Sequence, residues 1–183
     1  MKRRFCFTLV EILVVTALVA LLGVIGFAGY GYAMGAARRS ATESLIKQIE
    51  AALENFKIKK GYYPSSSSYA TIAFTVSGGA ITDVSLGGTA LGTDAFKVFI
   101  KPLDQEKLKK SISGNNLVDG WGGQIYYRYP GAVNTTGFDL IAPGPDGQFG
   151  VTPAASPAAS PSATTYKNGA DWACDDIANF MDK

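Results

Sequence analysis

Phe7–Ala37 reads FTLVEILVVTALVALLGVIGFAGYGYAMGAA, and over that whole stretch the chain carries one charge, Glu11. A membrane span needs about 20 predominantly apolar residues, so the run is long enough to be read as one. Lys2, Arg3 and Arg4 precede it, and basic flanks stay on the cytoplasmic side. Everything after Arg38 is then expected outside the cytoplasmic membrane. A cleavable secretory signal has a shorter apolar core of about 7–15 residues, while a plain signal anchor fits the length. Neither explains Glu11. An acid in mid-membrane costs roughly 2.5–3.5 kcal/mol, so it calls for a partner. The nearest candidate is the α-amino group that cleavage before Phe7 would expose, about 6 Å away along a helix. In a stack of such helices the amine of one subunit would neutralise Glu11 of its neighbour.

Downstream of Arg38 and Arg39 the pattern becomes amphipathic. Leu45, Ile46, Ile49, Leu53 and Phe56 recur every three or four residues, with Glu50, Glu54 and Lys57 off the stripe. That spacing predicts a helix with one buried face. No proline interrupts it before Gly61 and Pro64, which predict its end. A helix over 7–60 would be roughly 80 Å long.

The rest of the chain predicts a small sheet domain. Ser65–Ser68 reads as a linker, and Thr71–Val76 and Ala80–Leu86 as short strands. Asp94–Lys110 reads as a helix broken by Pro102, its lysines on a solvated face. Trp121-Gly122-Gly123 predicts a turn. Gln124–Tyr129 and Gly137–Ile141 predict two antiparallel strands. Between Gly150 and Asp171 the chain reads VTPAASPAASPSATTYKNGA, too poor in apolar bulk to pack and expected to be a flexible insertion.

Composition narrows the function classes. Of 183 residues 47% are hydrophobic and 17% charged, and much of the apolar excess sits in the first forty. The net charge of +2 falls to −1 without Lys2, Arg3 and Arg4, so nucleic acid is not an expected partner. There is no histidine, which removes Ser–His triads and the commonest metal ligand. No nucleophile–base pair, metal cluster or phosphate loop stands out, and no enzyme activity is expected. Cys6 lies in the basic leader, and Cys174 reads as a lone, buried thiol.

The basic leader followed by Phe7-Thr8-Leu9-Val10-Glu11 resembles the prepilin signature of type IV pilins and type II secretion pseudopilins. Ile49–Glu54 with Gly61-Tyr62-Tyr63-Pro64, the Trp-Gly turn, the Tyr-rich and Phe-Asp-Leu strands and Gly144-Pro145-Asp146-Gly147 bring it closest to the major pseudopilin. The resemblance covers about residues 5–64 and 118–150 and a C-terminal patch. It implies that a prepilin peptidase cuts between Cys6 and Phe7 and methylates the new amine at Phe7. Two departures stand out: Cys6 replaces the usual glycine before the cut, and Gly26, Gly29 and Gly31 stand where a proline is common.

The implied fold is α+β and pilin-like: a long N-terminal helix, membrane span plus amphipathic stem, packed on a small antiparallel sheet. The expected divisions are a leader (1–6), a transmembrane or filament-core helix (7–37), a stem (38–60), a variable αβ connection (61–117), the sheet with a calcium-like loop (118–150), the insertion (151–170) and a C-terminal segment (171–183). The implied function is a pseudopilus subunit, anchored once in a bacterial inner membrane with its C-terminal domain in the periplasm. Its implied partners are copies of itself, minor pseudopilins, the peptidase, the inner-membrane assembly platform and membrane lipid. A surface type IV pilin for adhesion, motility or DNA uptake is the alternative; the long middle region suits it, and the missing C-terminal disulfide loop speaks against it. The resemblance also implies calcium, held by the Asp146 and Asp176 carboxylates and the Pro143 carbonyl, with Asp171 and Asp175 nearby.

Overall fold

The computed structural model describes residues 8–150, 160–161 and 175–180, the side chains of 24–29 excepted. In chain order the elements are α1 (Leu9–Lys60), β1 (Ser66–Thr71), β2 (Ala73–Ser77), β3 (Ala80–Leu86), β4 (Thr89–Ala90), α2 (Thr93–Ile100), α3 (Gln105–Lys110), β5 (Ile112–Ser113), β6 (Asn116–Leu117), β7 (Tyr126–Tyr129), β8 (Asp139–Ala142), a 3-10 turn (Gly144–Asp146) and β9 (Ile177–Ala178). Two units divide the chain, Met1–Ala37 and Arg38–Lys183, and α1 contributes to both.

In the first unit the α1 side chains of Leu9–Leu22 are exposed all round, from Leu9 at 77% to Leu22 at 67%. The expected membrane span is corrected here. Among the described residues no helix is long and apolar enough to cross a membrane. Tyr30, Gly31, Tyr32 and Gly35 then thin the hydropathy before Arg38 and Arg39. The same finding overturns the single-pass inner-membrane placement with a periplasmic C-terminal domain.

In the second unit, α1 from Arg38 onward (the stem) buries Leu45, Ile46, Ile49, Ala52, Leu53 and Phe56 in one core. Each of the leucines, isoleucines and the phenylalanine, fully buried, contributes about 1.5–3 kcal/mol. Lys57, Lys59 and Lys60 sit in the last turn, where the helix dipole favours cations. Gly61, at φ 84°, donates its N–H to the Lys57 carbonyl at 2.7 Å and closes the helix. Glycine takes this left-handed conformation without steric cost.

The expectation of one small sheet is also corrected: the described residues form two antiparallel sheets. The first runs β1-β7-β8-β9 and the second β4-β3-β2-β6-β5. Ser66–Ser68, read from sequence as linker, belongs to β1. Ser66 pairs with Tyr129 and Ala70 with Tyr127, with a register shift between them. Serine has little intrinsic strand preference, and β7's unpaired backbone edge outweighs it. In the first sheet Tyr127 lies opposite Leu140, and both are fully buried in the stem's core. Tyr126, Ile141 and Ala178 belong to a second cluster with Phe149 and Phe180. Successive strand residues point to opposite faces, so both faces of this sheet are covered.

Candidate functional site

The first candidate is the start of α1. The Thr8 N–H and hydroxyl both donate to Glu11 Oε2, at 2.8 and 2.9 Å, and the Glu11 N–H donates back to Thr8 Oγ1 at 3.3 Å. This reciprocal pattern is a capping box, which satisfies backbone groups that a helix start leaves unpaired. Thr8-x-x-Glu11 spells it in the sequence. Glu11 therefore has a local partner, and its Oε1 takes part in neither bond from Thr8. Cys6 and Phe7 lie outside the described residues, so neither the cleavage site nor the amine is placed.

The second candidate is the loop after β8. Gly144 takes φ 70° and Gly147 φ 72°, so the chain reverses tightly around Pro145 and Asp146. The structure brings this loop to Asp175 and Asp176 although a long insertion separates them in sequence. The Asp146 N–H donates to Asp175 Oδ2 at 3.3 Å, and the Gly150 N–H to Asp176 Oδ2 at 2.8 Å. Gly144 lies so close to the Asp175 carbonyl that a Cβ would collide with it. Asp146 is exposed and its Oδ1 accepts the Gln148 N–H at 2.8 Å, whereas Asp176 is buried. Pro143 is buried, its ring against Gly123. Asp171 lies outside the described residues.

The donors here are all oxygens, the chemistry a hard cation takes. Among the described residues no group of three or more His, Cys, Asp or Glu side chains forms a metal cluster. Backbone carbonyls such as that of Pro143 would have to supply much of a calcium ion's six to eight oxygens.

Two buried carboxylates escaped the sequence reading. Asp119 Oδ1 accepts the N–H groups of Trp121 and Gly123, at 2.9 and 2.8 Å, and Oδ2 that of Gly144 at 3.1 Å. It ties the Trp-Gly turn to the loop. Asp139 accepts the Tyr69 hydroxyl at 2.7 Å and the N–H groups of Ala132, Val133 and Asn134, at 2.7, 3.1 and 2.9 Å. Burial and that bond push the Tyr69 phenol's pKa up. Each acid is isolated in sequence, so no spacing signals its role.

No protein-family model, curated protein or solved structure matches the chain.

Proposed function

We propose that this chain is a structural subunit of a helical filament, of the pseudopilus kind that drives protein export in type II secretion, with no catalytic step of its own. The observation that carries the reading is the exposed apolar surface of α1, in which Leu9, Val10, Leu13, Leu18 and Leu22 are all more than half exposed. A continuous apolar surface of this kind marks an association site, and copies of the same helix would bury it. Stacking also buries Glu11. Both bonds from Thr8 go to Glu11 Oε2 and neither neutralises the carboxylate; a charge buried in the stack needs a cation, so the register that meets a neighbour's Phe7 amine is favoured over its slips. The contact is heterologous and does not close, which gives a filament.

The prepilin peptidase would supply that amine by cutting between Cys6 and Phe7 and methylating it. An assembly platform and minor pseudopilins would start and drive growth. Calcium, on the resemblance, would be held by Asp146, Asp176 and the Pro143 carbonyl, and would cross-link the loop to the segment leading into β9.

The test is the fibre fraction, by sedimentation and electron microscopy, of the full chain expressed with a secretion assembly system. Glu11→Ala is expected to abolish fibres. Glu11→Gln retains an acceptor for Thr8 but no charge, so it separates cap from pairing and is expected to abolish them too. Fibres at the unsubstituted yield from both variants would overturn the reading. Mass spectrometry should find a methylated Phe7 at the mature N-terminus.

A further inference from the structure

The buried Asp119 carboxylate faces two ways. Oδ1 holds the turn, through the N–H groups of Trp121 and Gly123, and Oδ2 holds the loop, through that of Gly144. On the turn side, the next residue, Gly120, donates its N–H to Thr42 Oγ1 at 2.9 Å and lies so close to the Arg38 carbonyl that a Cβ would meet it. Thr42 is itself buried and donates its hydroxyl to that carbonyl at 3.0 Å. The turn is thus a clamp on the stem at Arg38 and Thr42. On the loop side, Gly123 abuts the Pro143 ring and Gly144 abuts the Asp175 carbonyl. From Asp175 to Thr42 the contacts are unbroken.

Asp175–Ala178 lies across the loop as a strap. Its two acids accept the N–H groups of Asp146 and Gly150, at 3.3 and 2.8 Å, and Ile177 pairs with Ala142. The strap follows the long insertion, so these contacts, and no short connection, seat it on the loop. Segments held by few contacts open locally at a lower free energy than the whole domain unfolds.

We infer that the strap is a latch whose seating is felt at the stem through Asp119. With the strap seated, Gly144 is held against Oδ2, and the carboxylate is fixed with both turn N–H groups on Oδ1. When the strap lifts, Gly144 withdraws and a buried charge loses one of its three donors, a costly loss in the interior. The carboxylate then turns away, the Asp119–Gly123 turn slackens, and Gly120 releases Thr42. Anything that lifts the strap therefore loosens α1 where the second unit begins. Contiguous hydrogen bonds and packed groups are the means by which such coupling travels, and it is reciprocal, so loosening the clamp loosens the strap. A competing route bypasses Asp119: Ile46 and Ile177 line one groove and share one core, a helical turn further along the stem. The latch does not rest on the filament reading.

A double-mutant cycle read by amide hydrogen exchange in the full chain tests it. Gly144→Ala pushes on the strap. Asp119→Asn keeps an acceptor for the turn but sets an N–H against that of Gly144, so it cuts the link. The Phe74 amide, bonded to the Asn115 carbonyl in the other sheet, reports global opening and is the reference. Gly144→Ala alone is expected to speed exchange of the Gly120 and Thr42 amides about tenfold relative to Phe74. In the Asp119→Asn background it should change them less than about twofold. Thr42→Val removes the clamp's hydroxyl at nearly constant shape and tests the reverse direction. It should speed the Ile177 and Asn179 amides about tenfold, and it decides the matter alone if Gly144→Ala fails to fold. Gly120 and Thr42 amides that follow Phe74, or strap amides unmoved by Thr42→Val, would overturn the latch. An effect of Gly144→Ala that persists undiminished in Asp119→Asn would overturn the role of Asp119 and assign the coupling to the Ile46–Ile177 packing.

Discussion

Asp139 shows what one side chain does in this molecule. It is fully buried and accepts bonds from Tyr69, Ala132, Val133 and Asn134. Gly131 packs so close to it that a Cβ would strike its carboxylate. Asp139→Ala would strand a hydroxyl and three amide N–H groups, each costing about 1–3 kcal/mol when left unpaired in the interior. The losses overlap, so a net ~3–5 kcal/mol is expected in urea unfolding. Tyr69→Phe removes one bond and should cost about 1 kcal/mol. Equal effects for the two would show that Asp139 does not hold the loop. Asp119 plays the same part for the Trp-Gly turn, where Gly120 sits against the Arg38 backbone of the stem and donates its N–H to Thr42 Oγ1 at 2.9 Å. Neither acid was legible in the sequence, because a buried carboxylate is defined by amides that only folding brings to it. The capping role of Glu11 was legible in Thr8-x-x-Glu11.

At the level of elements, the stem and the loop–β9 joint behave differently. The stem's buried stripe is written in its three- and four-residue spacing, since a helix turns 100° per residue whatever surrounds it. Ile49→Ala should cost about 2–5 kcal/mol, whereas Gln48→Ala, on the outer side, should stay within about 0.5 kcal/mol; chemical denaturation of both reads the difference. The joint depends on Gly144. Alanine there would be strained at φ 70° and would collide with the Asp175 carbonyl. Strain of about 1–3 kcal/mol is expected, with β9 amides exchanging faster than those of β7. Calcium makes a separate prediction. Asp176→Ala loses the Gly150 bond with or without the ion, so it should lower Tm in chelator as well. The calcium-dependent part is the extra Tm loss of Asp146→Ala when calcium is present. No such difference would remove calcium from the loop.

For the molecule as a whole, burial raises the pKa of the phenols of Tyr63, Tyr69 and Tyr127. The Tyr63 hydroxyl also donates to Glu54 at 2.7 Å, and that of Tyr127 to the Pro64 carbonyl at 2.6 Å. In the unfolded chain these phenols ionise near pH 10. A raised folded pKa means that their contribution is whole below that pH and is lost as pH climbs through the folded values. Above about pH 10 the unfolded state holds fewer protons than the folded one, so stability falls with pH. Tm measured from pH 7 to 11 should therefore hold level and then drop, and Tyr127→Phe should shallow the drop. A drop of unchanged slope would assign it to other groups.

What the amino-acid order determined alone is local: where α1 begins its cap and ends at Gly61, which side of the stem is apolar, and which Tyr-rich stretch becomes β7. Each follows from backbone periodicity and turn chemistry within a few residues. Only the tertiary structure decided that a serine run completes one sheet, that 61–117 holds a second, and that Ile177–Ala178 returns across a long insertion to pair with β8. Strand pairing and buried carboxylates draw their hydrogen bonds from chain far away in sequence, and no local pattern encodes that partner.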